Sequence, residues 1–169
     1  MLAAAGHPNG FSAELTGVRY LEVPQLAQIF QQSVRLIGVK LNLKLLPSSV
    51  YYGGSEKTTP WLNAPMQAGD WGHRAVPNVV ASSSLTTDGV WNGSKYANKT
   101  YDRLLKSYVG AISLADQRRY SRQMQLLLLR DSPVIHPYFN GWLAPGTPRL
   151  RGFEASPDAQ TYLSRASLA

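Results

Sequence analysis

The sequence predicts an α/β fold in which a mixed β-sheet is flanked by helices. Three consecutive segments near the start of the chain support this prediction. Residues 11–18 and residues 39–45 each alternate between apolar and polar side chains, a period typical of strands with one buried face. Between them, Leu26, Phe30 and Val34 recur at the spacing of an amphipathic helix. A strand, a helix and a second strand in this order predict a βαβ unit.

Pro24 and Gly38 mark the two ends of the helix predicted between these strands. Proline suits the first turn of a helix, because the N–H that it lacks has no partner there in any case. Glycine readily adopts the left-handed conformation that often ends a helix. We therefore predict a helix over residues 24–37 that is capped by Gly38.

The rest of the chain continues to alternate between helices and short strands. Asn98 and Ser113 are suited to begin two later helices, because their side-chain oxygens can accept hydrogen bonds from the first free N–H groups. Up to the first of these helices, we predict a mixed segment over residues 47–64, a short strand within 65–72, a short helix over 77–84 and a loop over 86–97. The two helices that follow are predicted over residues 98–109 and 113–129. After them we predict a strand over 134–139, a second strand beginning at 142–143, a linker over 145–157 and a final short helix over 158–169.

Composition identifies a globular chain and excludes several kinds of chemistry. The 169 residues suit a single domain, and 44% of them are hydrophobic. The complete absence of cysteine excludes disulfides, zinc fingers and thiol nucleophiles. Stability therefore rests on packing and hydrogen bonds rather than on crosslinks.

The chain is basic, with a formal net charge of +7. Lysine and arginine are spread along it, and the densest group is Arg118, Arg119 and Arg122. We interpret that group as the exposed face of a helix. Binding to nucleic acid or to another anionic surface is the alternative interpretation of the charge.

No segment of the sequence reaches the roughly 18 apolar residues that a membrane-spanning helix needs. Met1–Ala5 is apolar but lacks the basic residues of a signal peptide. If the protein functions outside the cytoplasm, we expect its export signal to lie elsewhere or to have been removed.

Six segments carry motifs that occur together, in this order, in one protein family. The first, LAAAGHPNGF, is similar to the family segment LLAEAGYPNGF, and the third, WGHRAVP, is similar to the family variant WGHRP.P. The segments are residues 2–11, 36–41, 71–77, 91–105, 116–137 and 151–153. They are distributed from residue 2 to residue 153, and together they resemble the family 5 extracellular solute-binding proteins, which bind peptides, opines, nickel complexes or sugars for ABC importers.

The resemblance implies a type II binding-protein fold, in which a solute is trapped between two lobes. It implies that residues 1–147 form the second ligand-binding lobe and that residues 148–169 form a C-terminal tail that would return to the first lobe. The first lobe would be absent, so the chain would be a truncated protein. The intact protein would be periplasmic or otherwise extracytoplasmic, would work with an ABC permease and would not be an enzyme.

Arg74 is the most informative candidate ligand-binding residue. In peptide-binding members of the family, an aspartate three residues after a tryptophan pairs with the α-amino group of the ligand. Here Arg74 stands three residues after Trp71, and a guanidinium binds carboxylates, phosphates or sugar hydroxyls rather than ammonium groups. The resemblance therefore predicts a solute with an acidic or polyhydroxylated part. The alternative is that Arg74 pairs with a surface carboxylate such as Asp70.

Five further residues complete the predicted ligand-binding set, each with an alternative role in packing or loop structure. Trp71 can offer a flat apolar face to a solute, or it can anchor the core. Asn92 can bind ligand, or it can cap the loop that it begins. The remaining three are His73, Trp91 and Tyr51. Tyr52 has the same two interpretations as Tyr51, and Trp61 and Trp91 are weaker candidates for which a role in the core or as a loop anchor is favoured.

The sequence predicts neither an active site nor a metal centre. His7, His73 and His136 lack the spacing of metal ligands, and the ten acidic residues are scattered. No nucleophile motif or phosphate-binding loop is present. We therefore expect no cofactor and no nucleic-acid partner, but a small peptide-like, opine or sugar-like solute. Self-association through the surface intended for the missing lobe and an inactive remnant are further alternatives.

Overall fold

A computed structural model describes residues 1–74, 76–139, 146–154, 156 and 161–169 of the chain. Its main sheet has three strands in the order β2-β1-β3, and both strand pairs are parallel. The strands are β1 (Ser12–Val18), β2 (Lys40–Leu46) and β3 (Gln67–Ala68). A separate two-stranded antiparallel sheet joins β4 (Leu150–Arg151) to β5 (Ser167–Leu168). The α/β class predicted from the sequence is confirmed, with parallel and antiparallel pairs lying in different sheets.

Six α-helices and one short 3-10 helix are present in the described residues. The 3-10 helix covers Ala3–Ala5. The α-helices are α1 (Val23–Arg35), α2 (Ser48–Tyr51), α3 (Pro60–Asn63), α4 (Pro77–Leu85), α5 (Lys99–Gly110) and α6 (Leu114–Asp131).

The predicted βαβ unit is formed by β1, α1 and β2. Its buried core contains Leu15 from β1, Ala27 from α1 and Leu41 from β2, with Val39 beside them. Helix α1 ends at Arg35, slightly earlier than predicted, so Ile37 lies in the following turn and is exposed. In β2 the exposed side chains alternate with buried or half-buried ones, as the period of two requires, but the last four residues of the central strand β1 are all buried.

Helices α4, α5 and α6 pack around a second core of Tyr101, Leu105 and Met124. Both predicted helix starts are confirmed. The Asn98 side chain accepts hydrogen bonds from the backbone N–H groups of Thr100 and Tyr101, and Ser113 accepts one from Asp116. These caps satisfy amide groups that the first turn of a helix leaves without partners.

Asp131 ties the end of α6 to the start of α5. Its carboxylate accepts hydrogen bonds from Tyr96 at 2.7 Å, from Asn98 at 2.8 Å and from Arg130 at 2.8 Å. The bond from Arg130, followed by that from Tyr96, lowers the pKa of Asp131 to about 2. The carboxylate is therefore ionised under ordinary conditions and holds the loop before α5 against the helix pair.

Two predictions for the C-terminal part of the chain differ from the structure. Residues 134–139 do not form the predicted strand, because no neighbouring strand pairs with them in the described part of the chain; Ile135 and Phe139 are exposed there. Residues 161–169 contain β5 instead of a helix. The strand predicted at residues 142–143 lies outside the described residues, as does part of the predicted final helix.

Within the described ranges, we find no helix with the length and apolar character needed to cross a bilayer.

Candidate ligand-binding site

The strand order of the main sheet reverses at the central strand, and this reversal creates a crevice position at the edge formed by the carboxyl ends of the strands. Strand β1 is central, β2 lies on one side of it and β3 lies on the other. All three strands run parallel, so their carboxyl ends meet at the same edge. In open α/β sheets, ligands bind outside the carboxyl ends of the strands where the strand order reverses.

The segments that follow these strands carry most of the predicted ligand-binding residues. Helix α2, which ends at Tyr51, follows β2 directly, and residues 69–74 follow β3. Residues 19–21 follow the central strand β1 and include the exposed side chains of Arg19 and Tyr20. The topology therefore gathers three segments that are distant in sequence at one edge.

Four aromatic side chains at this edge form a continuous series, which we call the aromatic row: Tyr52, Trp61, Trp71 and Trp91. The ring centroids of Tyr52 and Trp61 lie 6.0 Å apart, those of Trp61 and Trp71 lie 6.4 Å apart, and those of Trp71 and Trp91 lie 6.1 Å apart. The rings are tilted or edge-on to one another, the favoured geometry for aromatic pairs. Trp71 is 45% exposed, so the row is open to a solute.

Tyr51 packs beneath the aromatic row, on its buried side, against Tyr52. It is almost fully buried and meets Tyr52 edge-on, with centroids 4.9 Å apart. Burial and the nearby negative charge of Asp70 raise the pKa of Tyr51 to about 12. The ligand contact predicted for Tyr51 is therefore not supported by its position; the packing alternative accounts for this residue.

Trp91, at the end of the row, lies in the loop before α5, and hydrogen bonds fix this loop in position. The backbone N–H of Trp91 donates to the Ser83 carbonyl at 2.7 Å, and the Gln67 side chain on β3 donates to the Gly93 carbonyl at 3.0 Å. These bonds fix the loop to both α4 and the sheet. Trp91 consequently has a defined position although it lies outside regular secondary structure.

Asn92 is buried inside this loop and uses all of its polar atoms there. Its side-chain amide donates to the carbonyls of Thr86 and Tyr96, and its carbonyl accepts from the Ser94 hydroxyl and the Tyr96 N–H. An asparagine side chain has no further donors or strong acceptor positions. The hydrogen bonds of Asn92 are those of the loop-capping role, and its side-chain amide has no donor or acceptor left to bind a solute.

Arg74 lies at the Trp91 end of the row. Its guanidinium carbon is 5.4 Å from the centre of the Trp91 ring, and its Nη1 donates to the backbone carbonyls of Gly72 and His73 at 3.0 Å each. The alternative pairing with Asp70 is not formed, and Arg74 has no carboxylate partner among the described residues. The positive charge is held in place, and no carboxylate in the described part of the chain neutralises it. His73 is also exposed, beside Arg74.

Asp70 marks the opposite end of the row and was not selected from the sequence as a ligand contact. The Tyr52 hydroxyl donates to its Oδ1 at 2.9 Å. Burial, followed by this hydrogen bond, raises the pKa of Tyr52, so the hydroxyl keeps its proton and remains a donor. Asp70 follows β3 by two positions, at the edge where binding residues are common, but the sequence alone indicates neither the end nor the direction of this short strand.

The described residues contain no group of three histidine, aspartate or glutamate side chains that could hold a metal ion. The charged groups in contact with the aromatic row are the guanidinium of Arg74 and the carboxylate of Asp70.

Comparison with known proteins shows which proteins share this fold. No protein-family model matches the chain. Heme-binding protein A of Haemophilus influenzae is 25% identical over 167 aligned positions, and the match covers 93% of this chain and 29% of that protein. HbpA2 from Haemophilus parasuis superposes with a TM-score of 0.72 at 20% identity, covering 99% of this chain and 34% of that chain.

The chain resembles part of a family 5 solute-binding protein. The ABC transporter-associated periplasmic binding protein DppA from Helicobacter pylori, in complex with a peptide, gives a TM-score of 0.67 at 21% identity over 78% of this chain and 26% of that one. The proteins that the chain resembles are binding proteins and not enzymes, which agrees with the sequence prediction. The fold is that of type II periplasmic binding proteins. The chain spans about a third or less of the length of these relatives.

Proposed function

We propose that this chain is a ligand-binding lobe of a protein that captures a small solute and delivers it to an ABC importer. Residues 1–147 would form the lobe, and residues 148–169 would form the tail that returns to a facing lobe. The names of the relatives support this class of function, since one is a heme-binding protein and another is an ABC transporter-associated periplasmic binding protein. The intact protein would then act in the periplasm.

The observation that carries the proposal is the position of the aromatic row at the carboxyl edge of the parallel sheet, with Arg74 at its end. Exposed indole rings can cover the apolar or ring-shaped part of a solute. The guanidinium of Arg74, which has no carboxylate partner among the residues that the structure describes, can bind an anionic group through paired hydrogen bonds. The site therefore suits a solute that combines an anionic group with a flat or sugar-like part.

Capture in such a protein requires two lobes that close around the solute. The closed state is favoured because the solute contacts both lobes at once. A single lobe provides only some of these contacts, so we expect this chain alone to bind weakly, at about millimolar Kd. Two copies that associate through the surface intended for the facing lobe would rebuild a cleft, and the measured affinity would then rise with protein concentration.

Removing the positive charge of Arg74 tests this proposal. Arg74→Gln is expected to weaken the binding of 4-methylbenzoate, a flat monoanion, by about fivefold, the upper range for an exposed ion pair. Binding is measured by NMR titration of the tryptophan indole N–H signals. Arg35→Gln, which removes an exposed arginine at the end of α1, serves as the charge-matched control. Equal affinities for the two variants would contradict the assignment of Arg74.

A further inference from the structure

The buried side chains of the protein form two separate sets. The first, which we call the sheet core, joins β1, α1, β2 and α2 and contains Leu15, Val18, Val23, Ala27, Val39, Leu41 and Tyr51. The second, which we call the helical core, lies between α5 and α6, beside α4, and contains Tyr101, Leu105 and Met124. In the part of the chain that the structure describes, no apolar side chain is shared by the two cores. Their relative placement therefore depends on the contacts where they adjoin.

The aromatic row crosses the junction between the two cores. Trp61 packs against the sheet core, whereas Trp91 lies in the loop between α4 and α5, on the helical side. Trp71 lies between these two rings and contacts both of them. The row is therefore continuous only while the loop that carries Trp91 stays in place beside the sheet.

Gln67 joins the Trp91 loop directly to the sheet. It is half-buried on β3, which pairs with the central strand, and its side-chain amide donates to the Gly93 carbonyl at 3.0 Å. The other hydrogen bonds described for residues 91–93 lead to α4 or to nearby loop residues, which belong to the helical side of the junction. The bond from Gln67 thus resists movement of this loop away from the sheet and from Trp71.

Gly93 fits closely against the side-chain amide of Gln67. A β-carbon built on Gly93 would lie 2.5 Å from Nε2 and 2.9 Å from Oε1 of Gln67. Because the amide is the far end of a flexible side chain, a methyl group at position 93 would displace it. The contact can therefore be broken from either side, by shortening Gln67 or by enlarging Gly93.

We propose that Gln67 is a positioning residue of the ligand-binding site, which holds the Trp91 end of the aromatic row so that one solute can contact rings attached to both cores. Gln67 acts through the Gly93 carbonyl and not through a contact with the solute. A loop that is already held in its binding arrangement lowers the cost of ordering it when the solute binds. The inference rests on the proposed function, because it assumes that the row binds the solute.

Removal of the Gln67 side chain tests the inference. Gln67→Ala in the full chain is expected to weaken the binding of 4-methylbenzoate about threefold, within the range that one net hydrogen bond provides. It should also shift the indole N–H signal of Trp91 before any probe is added. Gln31→Ala is the matched control, because Gln31 is also half-buried and donates to a strand carbonyl, that of Leu41. This control should lower stability to a similar extent while binding and the Trp91 signal stay unchanged.

Gly93→Ala breaks the same contact from the other side and provides the second test. It should weaken the binding of 4-methylbenzoate by a similar factor, about threefold. The double variant with Gln67→Ala should bind no more weakly than either single variant, because both changes remove one interaction. Gly110→Ala, at the end of α5, is the control for adding a methyl group, since a β-carbon there would meet no atom within 4 Å.

The outcomes distinguish this inference from the proposed function. If Gln67→Ala and Gln31→Ala bind 4-methylbenzoate equally well while Arg74→Gln weakens binding, the positioning role of Gln67 is wrong and the proposed function stands. Multiplied effects in the double variant, about ninefold, would also contradict the inference, because independent effects add in free energy. If the unaltered chain gives no saturable shift of its indole signals, the inference and the proposed function both fail.

Discussion

Gly10→Ala is expected to lower the free energy of unfolding by about 2–6 kcal/mol, combining a strained backbone with a steric clash. Gly10 has a φ of 79°, a conformation that glycine adopts more readily than other residues. A β-carbon placed on it would lie 1.9 Å from the Gly38 carbonyl oxygen, so either the turn before β1 or the turn between α1 and β2 must move. Both elements border the core of the βαβ unit.

Gly6→Ala is the matched control for this substitution. Gly6 has a φ of 85°, similar to that of Gly10, but a β-carbon there would meet no atom within 4 Å. We expect it to cost only the backbone term, about 1–2 kcal/mol. Urea unfolding followed by circular dichroism compares the two variants. Equal losses of stability in the two variants would show that the close approach of Gly10 to Gly38 adds no steric cost to Gly10→Ala.

Tyr101→Ala is expected to lower the free energy of unfolding by about 3–5 kcal/mol, the range for truncating a large buried aromatic residue. Tyr101 is only 1% exposed and packs with Leu105 and Met124, so alanine would leave a cavity where three helices meet. Its hydroxyl also donates to the Ala81 carbonyl at 3.2 Å, which links α5 to α4.

Tyr101→Phe separates the hydrogen bond from the packing, because phenylalanine keeps the ring and loses only the hydroxyl. We expect this change to cost about 1 kcal/mol. Thermal and urea unfolding of both variants should therefore give clearly different stabilities. If Tyr101→Ala were no less stable than Tyr101→Phe, the packing role assigned to this ring would be wrong.

The parts of the fold that depend on local patterns were predictable from the sequence. The alternation in residues 39–45 and the helical spacing of Leu26, Phe30 and Val34 identified β2 and α1, and the side chain of Asn98 identified the start of α5. Residues 134–139 have apolar and β-branched side chains suited to a strand, but a strand also needs a partner. The sequence of the segment contains no information about that partner, so the prediction failed there.

The candidate site was predictable only in part, because its residues come together through the topology of the sheet. Trp71 and Arg74 were selected from a short motif, and the structure places both at the carboxyl edge. The aromatic row joins side chains from positions 52 to 91, a grouping that follows from the β2-β1-β3 order and not from any local pattern. Asp70 was missed for the same reason, since its contact with Tyr52 spans 18 positions.

The location of solute binding tests the central claim most directly. The measurement is a two-dimensional NMR titration of the full chain with 4-methylbenzoate, in which the indole and backbone signals are assigned. We predict weak, saturable shifts centred on Trp71, Trp91 and residues 69–74, with little change in α5 and α6. Shifts confined to α5 and α6, with the indole signals of the aromatic row unchanged, would contradict the assignment of this edge as the ligand-binding surface.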